Sequence, residues 1–170
     1  MPILTALIPT REPLDAASPG AAFLRSAGFH VEELVGYASI FDAYSEGVAR
    51  LQPADDDVVV LVHDDVSFDG RPSNFEQTLR RHLSLPGVGF VGAAGTRQLS
   101  PELVWWRNAS GATALAGLVH HGEQRSFFGP FGRVVVLDGL LLAATGRTLR
   151  CVASQTSCGP PPLPPVLCGF

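Results

Sequence analysis

The sequence predicts an α/β layered protein built around a mostly parallel central sheet. Val58-Val59-Val60-Leu61-Val62 is apolar at every position, the pattern of a strand covered by helices on both faces. Segments of helical spacing alternate along the chain with short apolar runs bounded by Gly and Pro. Of the 170 residues, 46% are hydrophobic and only 16% charged, a balance that favours an ordered core over a solvated chain. A chain of this length is expected to form one domain that buries about two thirds of the surface exposed when unfolded.

Taken in order, Ile3 to Ile8 reads as a buried strand broken by Pro9, with Thr10-Arg11-Glu12-Pro13 as the loop beyond it. A helix follows around Ala21 to Ala27 and ends at Gly28, and Phe29 to Val35 forms a second strand before Gly36. From Ile40 to Leu51 the residues Ile40, Tyr44, Val48 and Leu51 recur at helical spacing, which sets one packed face against an outer face of Asp42, Glu46 and Arg50. Pro53-Ala54-Asp55-Asp56-Asp57 is an acidic turn leading into the run at 58–62. Ser73-Asn74-Phe75-Glu76 has the spacing of a capping box, opening a helix with Phe75, Leu79 and Leu83 inward that stops at Pro86-Gly87. Val88 to Gly92 and Val134 to Leu137 read as later strands. After Arg150 the composition shifts to Gly159-Pro160-Pro161-Pro162-Leu163-Pro164-Pro165, incompatible with a helix or central strand. The expected division is a folded domain at 1–150 and a flexible Pro- and Cys-bearing tail at 151–170.

Several function classes are excluded by composition. A net charge of −4 with no Arg run denser than Arg80-Arg81 disfavours a nucleic-acid partner. All 12 basic residues are Arg, so chemistry that requires a Lys is ruled out: the Walker-type phosphate loop, Schiff-base catalysis and a phosphoacceptor receiver domain. The apolar opening is too short to span a bilayer and has no basic leader, so no membrane span and a cytoplasmic location are expected. Cys151, Cys158 and Cys168 match no zinc or redox spacing.

The chemistry is expected at His63-Asp64-Asp65, directly after the most buried strand. In open α/β sheets, ligands bind in the crevice outside the carboxyl ends of the strands. Mg2+ and Mn2+ prefer carboxylate oxygens and keep positions free for water and substrate phosphates. Carboxylates on a rigid strand end therefore suit a nucleotide diphosphate bridged by a cation, which would neutralise charge on the leaving group. A solvated acidic turn is the plain alternative. His63 has three available roles, as a metal ligand, a base or a hydrogen-bonded hinge for Asp65.

The stretch from Ser39 to Ala49, then Val58 to Val62 with His63-Asp64-Asp65-Val66, resembles the family 2 glycosyltransferases, in particular a bacterial group with a His-x-Asp-Val signature. Gly87 to Gly95, Trp105-Trp106 and Val136-Leu137-Asp138-Gly139-Leu140-Leu141-Leu142-Ala143 extend the resemblance over roughly residues 39 to 144. It implies a GT-A-like α/β/α fold of the nucleotide-diphospho-sugar transferase type, and inverting transfer from a nucleotide-sugar donor to a glycan or other hydroxyl acceptor. It also implies Mn2+ or Mg2+ at a variant DXD motif. Mapped onto this chain, Asp65 and His63 hold the metal, and Pro9, Thr10, Asp64 and Asp65 bind the donor. Trp105, Trp106, Asp138 and Gly139 meet the acceptor.

Two departures from the family pattern stand out. His63 occupies the place where many relatives carry the first Asp. No Asp or Glu occurs after Asp138, whereas the family has an acidic segment there that supplies the catalytic base. Inversion needs a base within reach of the acceptor hydroxyl, so Asp138 is the candidate substitute, and the C-terminus is expected to be truncated or altered with activity impaired. The competing expectation is a non-catalytic GT-A-like module that binds a nucleotide or glycan without turnover.

Overall fold

The computed structural model describes residues 2–15, 18–98, 114–155 and 166–168. Along the chain these form β1 (Leu4–Thr10), α1 (Pro19–Ser26), β2 (His30–Val35), α2 (Ile40–Leu51), β3 (Val58–Val62), α3 (Pro72–Leu83), β4 (Phe90–Gly92) and β5 (Ala94–Thr96). There follow β6 (Leu115–His121), β7 (Gln124–Gly129), β8 (Gly132–Val134), β9 (Val136–Leu137), β10 (Leu141–Thr145), α4 (Gly146–Gln155) and β11 (Val166–Cys168). A seven-stranded sheet has the order β2-β1-β3-β10-β4-β11-β8, and a four-stranded sheet the order β7-β6-β5-β9.

The five side chains of β3 are all buried, and they divide between two cores by strand alternation. Val58, Val60 and Val62 pack with Ala6, Ile8, Leu24 of α1 and Leu79 of α3. Val59 and Leu61 pack with Leu7, Leu34, Ala43 of α2 and Leu149 of α4. Helices thus cover both faces of the large sheet. Each fully buried valine contributes about 1.5–3 kcal/mol relative to an exposed one, so this strand is a large part of what holds the two cores together.

Pairing in the large sheet is mixed rather than mostly parallel. β1 runs parallel to β2 and β3, but β10 lies antiparallel between β3 and β4. β11 is parallel to β4 and antiparallel to β8. The chain reaches β10 from the small sheet, through the turn at Asp138 to Leu140, and so enters the large sheet from the end where β3 leaves it. The strand expected at Val134 to Leu137 divides at Val135, with β8 joining the large sheet and β9 the small one.

Local chemistry explains most element ends. α2 has the predicted bounds, with the Ser39 hydroxyl accepting from the Asp42 N–H at 3.4 Å. It ends at Gln52, the one non-glycine residue with positive φ among the described residues. Gly28, with φ +89, turns the chain after α1. β1 continues through Pro9 to Thr10, paired there only with β2. Thr10 C=O faces β2, accepting from Gly36 N–H, whereas Ile3 C=O accepts from Val58 beside β3. By alternation Pro9 turns its missing donor to the side where pairing with β3 has already stopped, so the ring breaks no ladder bond. The expected capping box at Ser73 does not form: Pro72 begins α3, Arg71 is the N-cap, and no side chain caps the helix. Proline's fixed φ suits the first helical position and moves the start one residue ahead of Ser73.

The expected boundary after Arg150 falls inside α4, and Val166–Cys168 pairs within the large sheet. At the amino end of β3 the acidic turn is structural. The buried Asp57 carboxylate accepts from Ile3 N–H at 2.6 Å and Ala54 N–H at 2.7 Å, tying the starts of β1 and β3 together. Asp55 binds Arg147 at 3.1 Å and also Arg150, holding α4 to the same turn. Among the described residues no helix is long and apolar enough to cross a membrane.

Asp57→Ala would leave two backbone donors without a partner, an expected loss of about 2–4 kcal/mol. Urea denaturation should show a lower midpoint at unchanged slope. A midpoint equal to that of the wild type would mean that Asp57 does not hold the strand starts.

Candidate functional site

A cleft of about 680 Å3 opens at the carboxyl ends of β1, β2 and β3. The strand ends place its walls there. Pro9 and Thr10 come from β1, Leu34 from β2, and Tyr37, Ser39 and Ile40 from the turn into α2 and its first residues. His63 and Asp64 come from the chain just past β3, and the loop at 11–15 closes the front. The volume is within the usual range for small-molecule sites, about 300–1,000 Å3.

The front loop is pinned at both ends. Thr10 Oγ1 donates to Glu12 C=O at 2.6 Å, and Leu14 N–H donates to Glu33 Oε2 at 3.0 Å. The Tyr37 pKa is raised, chiefly by the Glu46 carboxylate of α2 near its hydroxyl. Arg50, one helical turn further, donates through Nε to Glu32 at 2.9 Å. Charged partners on α2 and β2 therefore set the tyrosine wall from outside the cleft.

The acidic end of β3 is a tight turn. His63 N–H donates to Leu140 C=O at 3.3 Å, and Val66 N–H donates back to His63 C=O at 3.4 Å. α1 presses on this turn: a Cβ on Gly20 would lie 2.1 Å from Val66 O, so only glycine permits the approach. The next loop is anchored through Phe68, stacked on Phe23 at 4.7 Å and edge-on to Phe75 at 5.3 Å. Further out, Asp69 meets His120 Nδ1 of β6 at 3.5 Å.

Pro9, Thr10, His63 and Asp64 are brought together around the cleft. Asp65 is exposed and is not among the lining residues, nor are Asp138 and Gly139. Asp138 is half-buried, with its N–H on Ala94 C=O at 2.8 Å. It lies two residues before Leu140, the backbone partner of His63, and so sits on the same edge of the sheet as the acidic turn. Trp105 and Trp106 lie outside the described residues. Among the described residues no three His, Cys, Asp or Glu side chains converge on one point. The turn places the imidazole of His63 and the carboxylate of Asp64 on the cleft, with the Asp65 carboxylate exposed beside them.

Sequence reasoning centred on β3 missed Leu34, Tyr37, Ser39 and the loop at 11–15. The rule that directed attention to the end of β3 applies equally to the ends of β1 and β2, where Arg11-Glu12 and Tyr37 are the polar residues that follow apolar runs.

No family model matches the chain, and no curated protein matches it. Among solved structures the chain is similar to A197 from STIV, with 12% identity and a TM-score of 0.49. The aligned region covers 84% of this chain and 64% of that one. No residue role is carried over from it.

Gly20→Ala should force α1 or the 63–66 turn to move, with an expected loss of about 1–3 kcal/mol. Ala22→Ser, on the exposed side of the same helix, should change stability by no more than about 0.5 kcal/mol. Thermal melts of the two variants check the contact, and equal midpoints would exclude a close packing of Gly20 on Val66.

Proposed function

We propose that this chain binds a nucleotide-sugar donor in the cleft and passes its sugar to an acceptor hydroxyl, with Mn2+ or Mg2+ at the acidic turn. The observation that carries the reading is the convergence of Pro9, Thr10, His63 and Asp64 on one cleft at the strand ends. On this reading the mixed sheet, with β10 reversed between β3 and β4, is of the GT-A type.

The cleft volume of about 680 Å3 has room for a nucleoside, and the turn lining it suits the diphosphate. A divalent cation bound there would neutralise charge developing on the departing diphosphate. Asp64 and Asp65 would hold that cation, and His63 would support or complete the set. The remaining positions match what a cation shared with phosphates requires, rather than an all-protein cage. Asp138, on the same sheet edge, would accept the proton of the attacking hydroxyl. Tyr37 and the pinned front loop orient the donor without taking part in proton transfer.

One observation favours a second reading. Asp138 stands off the cleft lining, and no Asp or Glu follows it in this chain. The same cleft would then bind a nucleotide or glycan without transfer.

Calorimetry with Mn2+ and a panel of UDP- and GDP-sugars tests the site. Asp64→Ala and Asp65→Ala are each expected to weaken binding by about tenfold or more. Wild-type affinity in both variants would remove the acidic turn from the donor site. Asp138→Asn separates the two readings. A general base contributes about 10²–10⁴-fold to rate, so sugar release should fall by at least that lower factor with donor affinity kept. A wild type that binds donor but releases no sugar to any acceptor supports the binding module.

A further inference from the structure

Among the described residues the buried Tyr44 hydroxyl has no hydrogen-bond partner. A buried hydroxyl in that state costs about 1–3 kcal/mol, so its persistence asks for a state in which it is satisfied. The ring itself packs at the margin of the core formed by Leu7, Leu34 and Leu61, where phenylalanine would serve as well.

The direction of the side chain identifies that state. Tyr44 stands one turn into α2 from Ile40, on the same helix face, and long helical side chains lean toward the helix amino end. That end is where Ser39 and Ile40 enter the wall of the cleft that Asp64 also lines. Asp64 is exposed and forms none of the hydrogen bonds or ion pairs found among the described residues. A tyrosine hydroxyl holds its proton at neutral pH and is a donor; at Tyr44 burial first, and then the charge of Asp64, raise the pKa further.

We propose that Tyr44 is a positioning residue for the acidic turn, its hydroxyl donating to the Asp64 carboxylate when a cation and diphosphate occupy the cleft rim. This rests on the donor-site reading given above. In the free protein the donor and acceptor stand apart. Occupancy draws the turn inward, and the new bond fixes the carboxylate oxygen that faces away from the cation. Part of the affinity thus comes from satisfying a group the free protein leaves unsatisfied.

The experiment is calorimetry of Mn2+ with UDP and of Mn2+ with GDP on the wild type, Tyr44→Phe, Asp64→Asn and the double variant, with a thermal melt of each. Tyr44→Phe should bind the better diphosphate about tenfold more weakly, the scale of a hydrogen bond to a charged group. Its melting temperature should equal or exceed that of the wild type, because an unsatisfied hydroxyl is removed. The double variant should bind no more weakly than Asp64→Asn alone, a coupling that a packing role would not produce. Equal binding by wild type and Tyr44→Phe overturns the proposal and leaves the donor site standing. Additive losses in the double variant, or a lower melting temperature in Tyr44→Phe, also overturn it, since the hydroxyl would then have another partner. A wild type with no affinity for either diphosphate removes the donor-site reading, and the role of Tyr44 with it.

Discussion

Five consecutive buried side chains, Val58 to Val62, constrain where the surrounding strands and helices can go. A strand dry on both faces needs strands on both edges and helices above and below. β1 and β10 meet the first need, and α1, α3, α2 and α4 the second. Polar groups excluded from such a strand collect at its two ends. The candidate site and the structural clamp are the two ends of that one strand.

The acidic residues at those ends have opposite fates. Before the strand, Asp57 is buried on two backbone donors, and Asp55 is engaged by Arg147 and Arg150. Past the strand, Asp64 and Asp65 are exposed, and neither belongs to any ion pair among the described residues. Carboxylates already neutralised by buried donors stabilise the fold. Carboxylates left facing solvent beside a cleft remain available to a ligand, and this difference makes the carboxyl end of β3 the candidate site.

How much could be read from the residues depended on how local the cause was. α2 is legible to the residue because its apolar spacing and the Ser39 cap lie within a single segment. The run at 58–62 is legible because five apolar positions, four of them the β-branched Val, between two acidic turns suit a short strand covered on both faces. The N-cap of α3 lies at Arg71, two residues before the expected Ser73, because two local signals compete and Pro72 prevails over the Ser73 capping pattern. Val134 to Leu137 looked like one strand, but a single exposed residue, Val135, is where the chain passes from one sheet to the other. Nothing in four apolar residues records that division.

The same distinction runs through the site. The sequence by itself determined that polar residues gather after Val62, that a buried strand over Ile3 to Ile8 precedes Pro9, and that no Lys is present. These follow from the order of side chains along one strand and from composition. Only the tertiary structure decided that Asp64 rather than Asp65 lines the cleft, that Tyr37 and the loop at 11–15 complete its walls, and that β10 runs against β3. Beyond Val62 the chain leaves the pleat for a turn held by Leu140 and pressed by Gly20. There strand alternation no longer governs which way a side chain points. Contacts between segments far apart in sequence govern it instead, and no local pattern encodes them.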